Sequence, residues 1–238
     1  MKKILFSHTL KQLFLSQTAW WLAAAGLLIL STLTNKYIQD YLTVFNQGAG
    51  ITHDIAAPIM KYTLLYFMVS IPLICLQILG ADQQMGMMPF LHTFPISAQD
   101  WVVGKYVGAL SYFILLQVLF AGMFIFLFKN NSLDMGFFWA NQVALFLMNA
   151  SLLSIGFLIS SLFKHATLAI ALQFIVGLAL FSLPWFTPAL AEVSFTQHLF
   201  GLLQGQLNTI DIGFFVLITA FALCCSVKLN RLETRSYA

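Results

Sequence analysis

Residues 135–163 read MGFFWANQVALFLMNASLLSIGFLISSLF, and beyond Lys164-His165 the chain resumes over 166–191 as ATLAIALQFIVGLALFSLPWFTPALA. Neither run contains a charge. Each exceeds the roughly 20 apolar residues that a helix needs to cross about 30 Å of hydrocarbon. A membrane strand would be shorter and would alternate polar with apolar positions, which these runs do not. The pair therefore predicts two membrane-spanning helices joined by a very short turn.

The rest of the chain repeats the pattern. Further uncharged stretches cover 13–33, 62–81, 106–128 and 212–227, and every Lys, Arg, Asp and Glu lies between the six stretches or at their edges. The reading is an all-α integral membrane protein, one transmembrane domain over 1–238. Its six spans are set at about 13–33, 59–80, 106–128, 137–163, 166–186 and 212–229. Composition agrees. Of 238 residues 60% are apolar and 8% charged, against about 25% charged in a soluble domain. Such a chain is not disordered, not a nucleic-acid module, and unlike most soluble enzymes.

Six spans put both termini on one side. That side holds Lys2, Lys3, Lys11, Lys105, Lys164, Lys228, Arg231 and Arg235, with the acids Asp82, Asp100 and Glu233. The other holds Lys36, Lys61 and Lys129, with Asp40, Asp54, Asp134, Glu192 and Asp211. The basic excess predicts cytoplasmic termini. Met1-Lys2-Lys3 ahead of Ala23-Ala24-Ala25 has some features of a signal peptide. Lys11 interrupts its apolar region, and the run continues to Leu33 without a polar mature segment, which favours an uncleaved first span. Before that span, Phe6, Leu10, Leu13 and Phe14 share one helical face, and Lys3, Ser7 and Lys11 another. Residues 1–15 are read as an interfacial helix, or else as an inward extension of the first span.

Motifs for chemistry on this chain are absent. Cys75, Cys224 and Cys225 fall inside spans without a CxxC pattern, as buried small hydrophobes would. His8, His53, His92, His165 and His198 are scattered, with no metal-ligand spacing. The stretch Val103-Gly104-Lys105-Tyr106 falls short of a phosphate loop, which needs an earlier Gly in place of Gln99 and a Ser/Thr in place of Tyr106. The polar side chains within spans are the amides Gln77, Gln117, Asn141, Gln142, Asn149 and Gln173. Interhelical hydrogen bonding is their main expected role. No ionisable residue stands at mid-membrane depth, where an ion-coupled transporter would place one. Energy for any transport is therefore expected from another subunit.

The connection between the second and third spans, GADQQMGMMPFLHTFPISAQDWVVGK over 80–105, is long for a connector. Pro89 and Pro95 divide it. Ser97 is placed as the N-cap of a short helix over 98–103, with Asp100 completing a modified capping box. Gly104 and Gly108 would let another helix approach closely. The segment reads either as an amphipathic loop at the lipid surface or as a docking element exposing Met87, Met88, Phe90 and Leu91.

In order along the chain, these features resemble the permease subunit of type-2 ATP-binding-cassette (ABC) transporters, close to the gliding-motility-type branch. The resemblance rests on Lys11-Gln-Leu-Phe-Leu-Ser, and on Asp82, Gly86, Leu91, Pro95-Ile96-Ser97 and Gly104-Lys105. It also rests on Ile159-Ser-Ser-Leu-Phe-Lys164 with Ala166 and Ala169, and on His198-Leu-Phe, Gly205, Asp211 and Phe214-Phe215. The chain departs from the pattern at Asp82-Gln83, where Glu is usual, at Met87 for Thr, and at Gln204 for a basic residue.

The resemblance implies an exporter permease that works as a pair, identical or with a paralogue, in the bacterial inner (plasma) membrane. ABC ATPase subunits would drive it, with ATP and Mg bound on that partner and no cofactor, metal, catalytic residue or nucleic acid on this chain. It implies an N-terminal elbow helix and an ATPase-coupling segment comprising Asp82, Gly86, Met87, Pro89, Phe90, Leu91, Pro95, Ser97, Asp100, Gly104 and Lys105. It also implies an outer gate before the sixth span with Phe195, His198, Leu199, Leu202, Gly205 and Asp211. The apolar face of Phe195, Leu199, Leu202 and Leu203 fits a re-entrant helix pair and an interfacial helix equally. A pathway of Phe, Leu and neutral amides suits lipids, amphipathic drugs, peptides and polysaccharide carriers alike. A haem-exporter-like assembly protein is the alternative, weakened by the separation of His53 and His198. A membrane-embedded enzyme ranks last, because no ionisable cluster converges.

Overall fold

The computed structural model describes residues 2–44, 55–80, 97–128, 134–163, 165–186, 192 and 194–236. Helices follow one another as α1 (Lys2–Leu15), α2 (Gln17–Val44), α3 (Ala57–Cys75), α4 (Ala98–Phe128), α5 (Met135–Leu162), α6 (Ala166–Phe186), α7 (Phe195–Leu203) and α8 (Thr209–Ser236). There is no strand among the described residues. Six helices, α2 to α6 and α8, are long and apolar enough to cross a membrane.

Local chemistry sets the helix ends. Ser16 separates α1 from α2, and its Oγ accepts from the Ala19 amide at 3.3 Å. Pro58 lies in the first turn of α3, where a missing N–H costs nothing. Pro72 lies inside that helix, and one turn later the chain widens to a π-helix over Leu76–Gly80. Asp134 caps α5 through Oδ1, which accepts from Gly136 N at 2.8 Å and Phe137 N at 3.3 Å. Ser97 caps α4 as expected, accepting from Asp100 N at 3.1 Å. The helix it starts does not stop near residue 103, however. It runs unbroken to Phe128, so the separate short helix over 98–103 becomes the first turns of the third span. No proline follows there to interrupt the hydrogen-bond ladder, and Gly104 costs only about 1 kcal/mol in a helix that long.

Helix α5 is the centre of the bundle, touching α3, α4, α6, α7 and α8. Of its most apolar stretch 78% is buried, against 17% for α6 and for α8, whose remaining faces are left for lipid. Lipid gives apolar helices little reason to associate, so close approach and interhelical polar bonds decide the packing. Gly26 of α2 supplies one approach: a Cβ there would lie 2.6 Å from Tyr66 Cζ and 2.7 Å from Phe120 Cζ. Tyrosine hydroxyls supply the bonds. Tyr66 donates to Leu22 O at 2.7 Å, Tyr112 to Ala19 O at 2.7 Å, and Tyr106 to Ala150 O at 3.0 Å, tying α3 to α2, α4 to α2, and α4 to α5.

Candidate functional site

At the end of the bundle nearest the chain termini, α1 lies against the start of α4. Gly108 makes this possible, since a Cβ there would stand 2.8 Å from Thr9 Cβ. The inward face of α1 is centred on Thr9 and Leu13, both buried, while Phe14 and Leu15 are exposed. Of the apolar face read from sequence, Leu13 packs inward and Phe14 stays exposed, and Thr9 joins the packed side. Thr9 is short and β-branched, and it fits over the glycine.

Lys105 is the least expected residue here. Its side chain is 4% exposed, and its Nζ donates to Ile78 O at 3.1 Å in the π-helical turn. The ammonium also lies 4.9 Å from the centre of the Trp101 ring. Nearby, Gln77 accepts from Thr18 Oγ1 at 2.6 Å, and its backbone carbonyl accepts from Gln12 Nε2 at 3.4 Å. The start of α4, the end of α3, α1 and the first turn of α2 therefore form one connected unit. Of the coupling residues expected from sequence, Ser97, Asp100, Gly104 and Lys105 stand on the first two turns of α4. Asp82, Gly86, Met87, Pro89, Phe90, Leu91 and Pro95 lie outside the described residues.

In the middle of the bundle the amides behave in two ways. Gln117 of α4 donates to the Gln142 backbone carbonyl at 2.6 Å and to its Oε1 at 2.9 Å. These two residues line a small cleft between α2, α3, α4 and α5, together with Thr34 and Thr63. Gln173 donates weakly to Cys75 Sγ at 3.6 Å across Gly156. Asn149, halfway along α5 and 1% exposed, has no hydrogen-bond partner for either amide atom. A buried amide left so is costly, about 1–3 kcal/mol.

At the other end, α7 occupies the connection between the fifth and sixth spans. Ser194, fully buried, caps it by accepting from Gln197 N at 3.2 Å. Its inner face is Phe195, Leu199 and Leu202, all buried, with Phe195 set edge-on to Phe181, Phe214 and Phe215. Thr196 Oγ1 donates to Phe181 O at 2.6 Å. Asn141 Nδ2 of α5 donates to Leu203 O at 3.3 Å as well as to Phe137 O at 2.9 Å in its own helix. The helix stops at Gly205, whose φ of +88° a side chain would disfavour. His198 reaches across to the first turn of α8, placing Nδ1 2.7 Å from Asp211 Oδ1. The structure thus gathers all six gate residues expected from sequence at one end of the bundle. It adds Ser194, Thr196 and Asn141, which no sequence signal singled out for this element.

Residues 50–230 match the model of a family described as ABC-2 family transporter protein. The match covers α3 to α7 and most of α8, and all of α1 and α2 precedes it. It is a match to the family as a whole and singles out no gliding-motility-type branch. No curated protein matches the chain.

Proposed function

Since the chain belongs to the ABC-2 family of transporter proteins, a family of multi-pass membrane permeases, we propose that it is the translocating subunit of an ABC exporter powered by separate ATPase subunits. Two such chains, identical or related, form the pathway. Two cytoplasmic ATPases bind ATP and Mg, and both permease termini face the cytoplasm of the bacterial inner membrane. ATP acts by binding better to the closed pair of ATPases, since a ligand shifts an equilibrium only through differential affinity. Closure moves the segment over 82–105 together with α1, an elbow at the membrane surface, and the connection over 187–211 responds as the outer gate.

The family match over 50–230 carries this reading. Two further facts support it: the spans hold no ionisable residue at mid-depth, and α1 and α4 are packed closely enough to move together. The experiment is co-purification with an ABC ATPase encoded beside this chain, followed by ATP hydrolysis in proteoliposomes. A stable complex with altered ATPase activity is expected. Phe90→Asp should abolish that effect while leaving the purified permease folded. Absence of any complex, or an undiminished response in Phe90→Asp, would overturn the reading.

A further inference from the structure

His198 is held between two oxygens. Its Nδ1 lies 2.7 Å from Asp211 Oδ1 on α8, and its Nε2 lies 2.8 Å from the backbone carbonyl of Glu192. A carbonyl oxygen can only accept, and so can an ionised carboxylate. Each ring nitrogen must then carry a hydrogen, which a neutral imidazole cannot arrange. The ring also stacks on Phe214 with centroids 3.9 Å apart and planes 23° apart, a face that favours a cation. From this geometry we propose that His198 is an imidazolium when α7 is seated, and that its second proton is the clasp holding α7 to α8.

The neighbouring charges fit a proton-dependent contact. Asp211 is the ionisable group that α8 turns toward the ring, and the pair is only 13% and 14% exposed. The other carboxylate oxygen lies beside Gly201, at ordinary contact distance from where a Cβ would stand. Glu192 offers its carbonyl, while the residue itself is exposed. Helix α7 has no other titratable residue, and helices α5 and α6, packed on it, have none along their lengths. Asp134, at the start of α5, is engaged with the amides of Gly136 and Phe137.

The sign follows directly. At low pH the ring keeps both hydrogens and α7 stays docked. As pH rises and one is lost, a nitrogen lone pair faces an oxygen less than 3 Å away and the contact turns repulsive. The apolar face and the bonds from Asn141 and Thr196 remain, so the response is a local loosening of α7 rather than unfolding. This inference does not depend on the transport reading.

The test uses the full-length protein in lipid nanodiscs with ¹⁵N-labelled histidine, its His198 signals identified by their loss in His198→Gln. Across a titration from about pH 5.5 to about pH 8.5, loss of one protonated-type ring signal should track loss of protection of α7. Hydrogen exchange of residues 195–203, corrected for intrinsic rates, should be about tenfold faster at the higher pH. Asp211→Asn should remove that pH response, because a carboxamide can donate to a neutral ring. A singly protonated ring while α7 is protected, or pH-independent protection of α7 in the unmodified protein, would overturn the proposal. An unchanged pH response in Asp211→Asn would do the same. Should that variant fail to fold, His198→Gln decides: a pH response of α7 that persists without the ring would overturn the proposal.

Discussion

Helices α1 and α7, of 14 and 9 residues, are the two described helices too short to span a bilayer, and different chemistry fastens each to the bundle. Helix α1 meets α4 through Thr9 over Gly108, with Leu13 buried beside it. Helix α7 buries Phe195, Leu199 and Leu202 but is positioned by polar contacts: the Ser194 cap, Thr196, Asn141 and the His198–Asp211 pair. Side-chain bonds can exchange for others at small cost, whereas interlocked helices at close distance move only as one body. On the proposed function, the first end would transmit a displacement and the second would rearrange. Substitutions at the two ends should separate these behaviours.

The largest effect is expected at the interlocked end. Leucine at Gly108 would place its side chain where Thr9 now lies, and overpacking of this kind costs about 3 kcal/mol. Gly108→Leu should lower the thermal midpoint of the detergent-solubilised protein by several degrees and make α1 accessible to proteolysis. An unaltered midpoint with α1 still protected would mean that the two helices are not interlocked. Next comes Lys105→Met, which keeps the stem and deletes the ammonium that caps Ile78 O and lies over Trp101. The carbonyl loses a charged donor, at about 2 kcal/mol, again read as a lower midpoint. Lys105→Arg should recover little, because the planar guanidinium replaces a compact charge in a buried setting.

At the rearranging end the expected losses are smaller and local. Ser194→Ala removes the cap of α7, worth about 1 kcal/mol. Hydrogen exchange should quicken over residues 195–203 while α4 and α5 keep their protection. If the whole bundle loosened equally, α7 would not be a separately adjustable element.

Much of this was legible from charge alone. Lys164-His165 ends one uncharged run and Ala166 begins the next, so the break between α5 and α6 follows from what lipid tolerates. The Ser97 cap was legible because capping is local. So was the need for close approach at Gly108, though its partner Thr9 was not. A span that is apolar on every face carries no periodicity to say which side meets protein, so the tyrosine bonds and Gly26 could not be placed. Lys105 illustrates the same limit. It counts among the basic residues on the side of the termini, yet the π-helical turn after Pro72 brings Ile78 O to it, and it is buried. His198 and Asp211 were both chosen as gate residues, but 13 positions apart in a connection their pairing had no local signature.

The smallest effect gives the sharpest contrast, because it sets two asparagines of one helix against each other. Asn141 joins α5 to α7 through Leu203 O, and Asn149, two turns further on, has no partner. Interhelical bonds of this kind in membranes are worth about 0.6 kcal/mol on average. Asn141→Leu, nearly equal in volume, should cost about that much and quicken exchange at the end of α7. Asn149→Leu removes an unpaired buried amide and should leave stability unchanged or raised. A loss of stability in Asn149→Leu larger than that in Asn141→Leu would reverse the assignment of which amide ties the bundle together. If instead Asn149→Leu is stable but transports poorly in the reconstituted system, the amide has its partner in another step of the cycle. The unsatisfied amide of this arrangement would then favour leaving it.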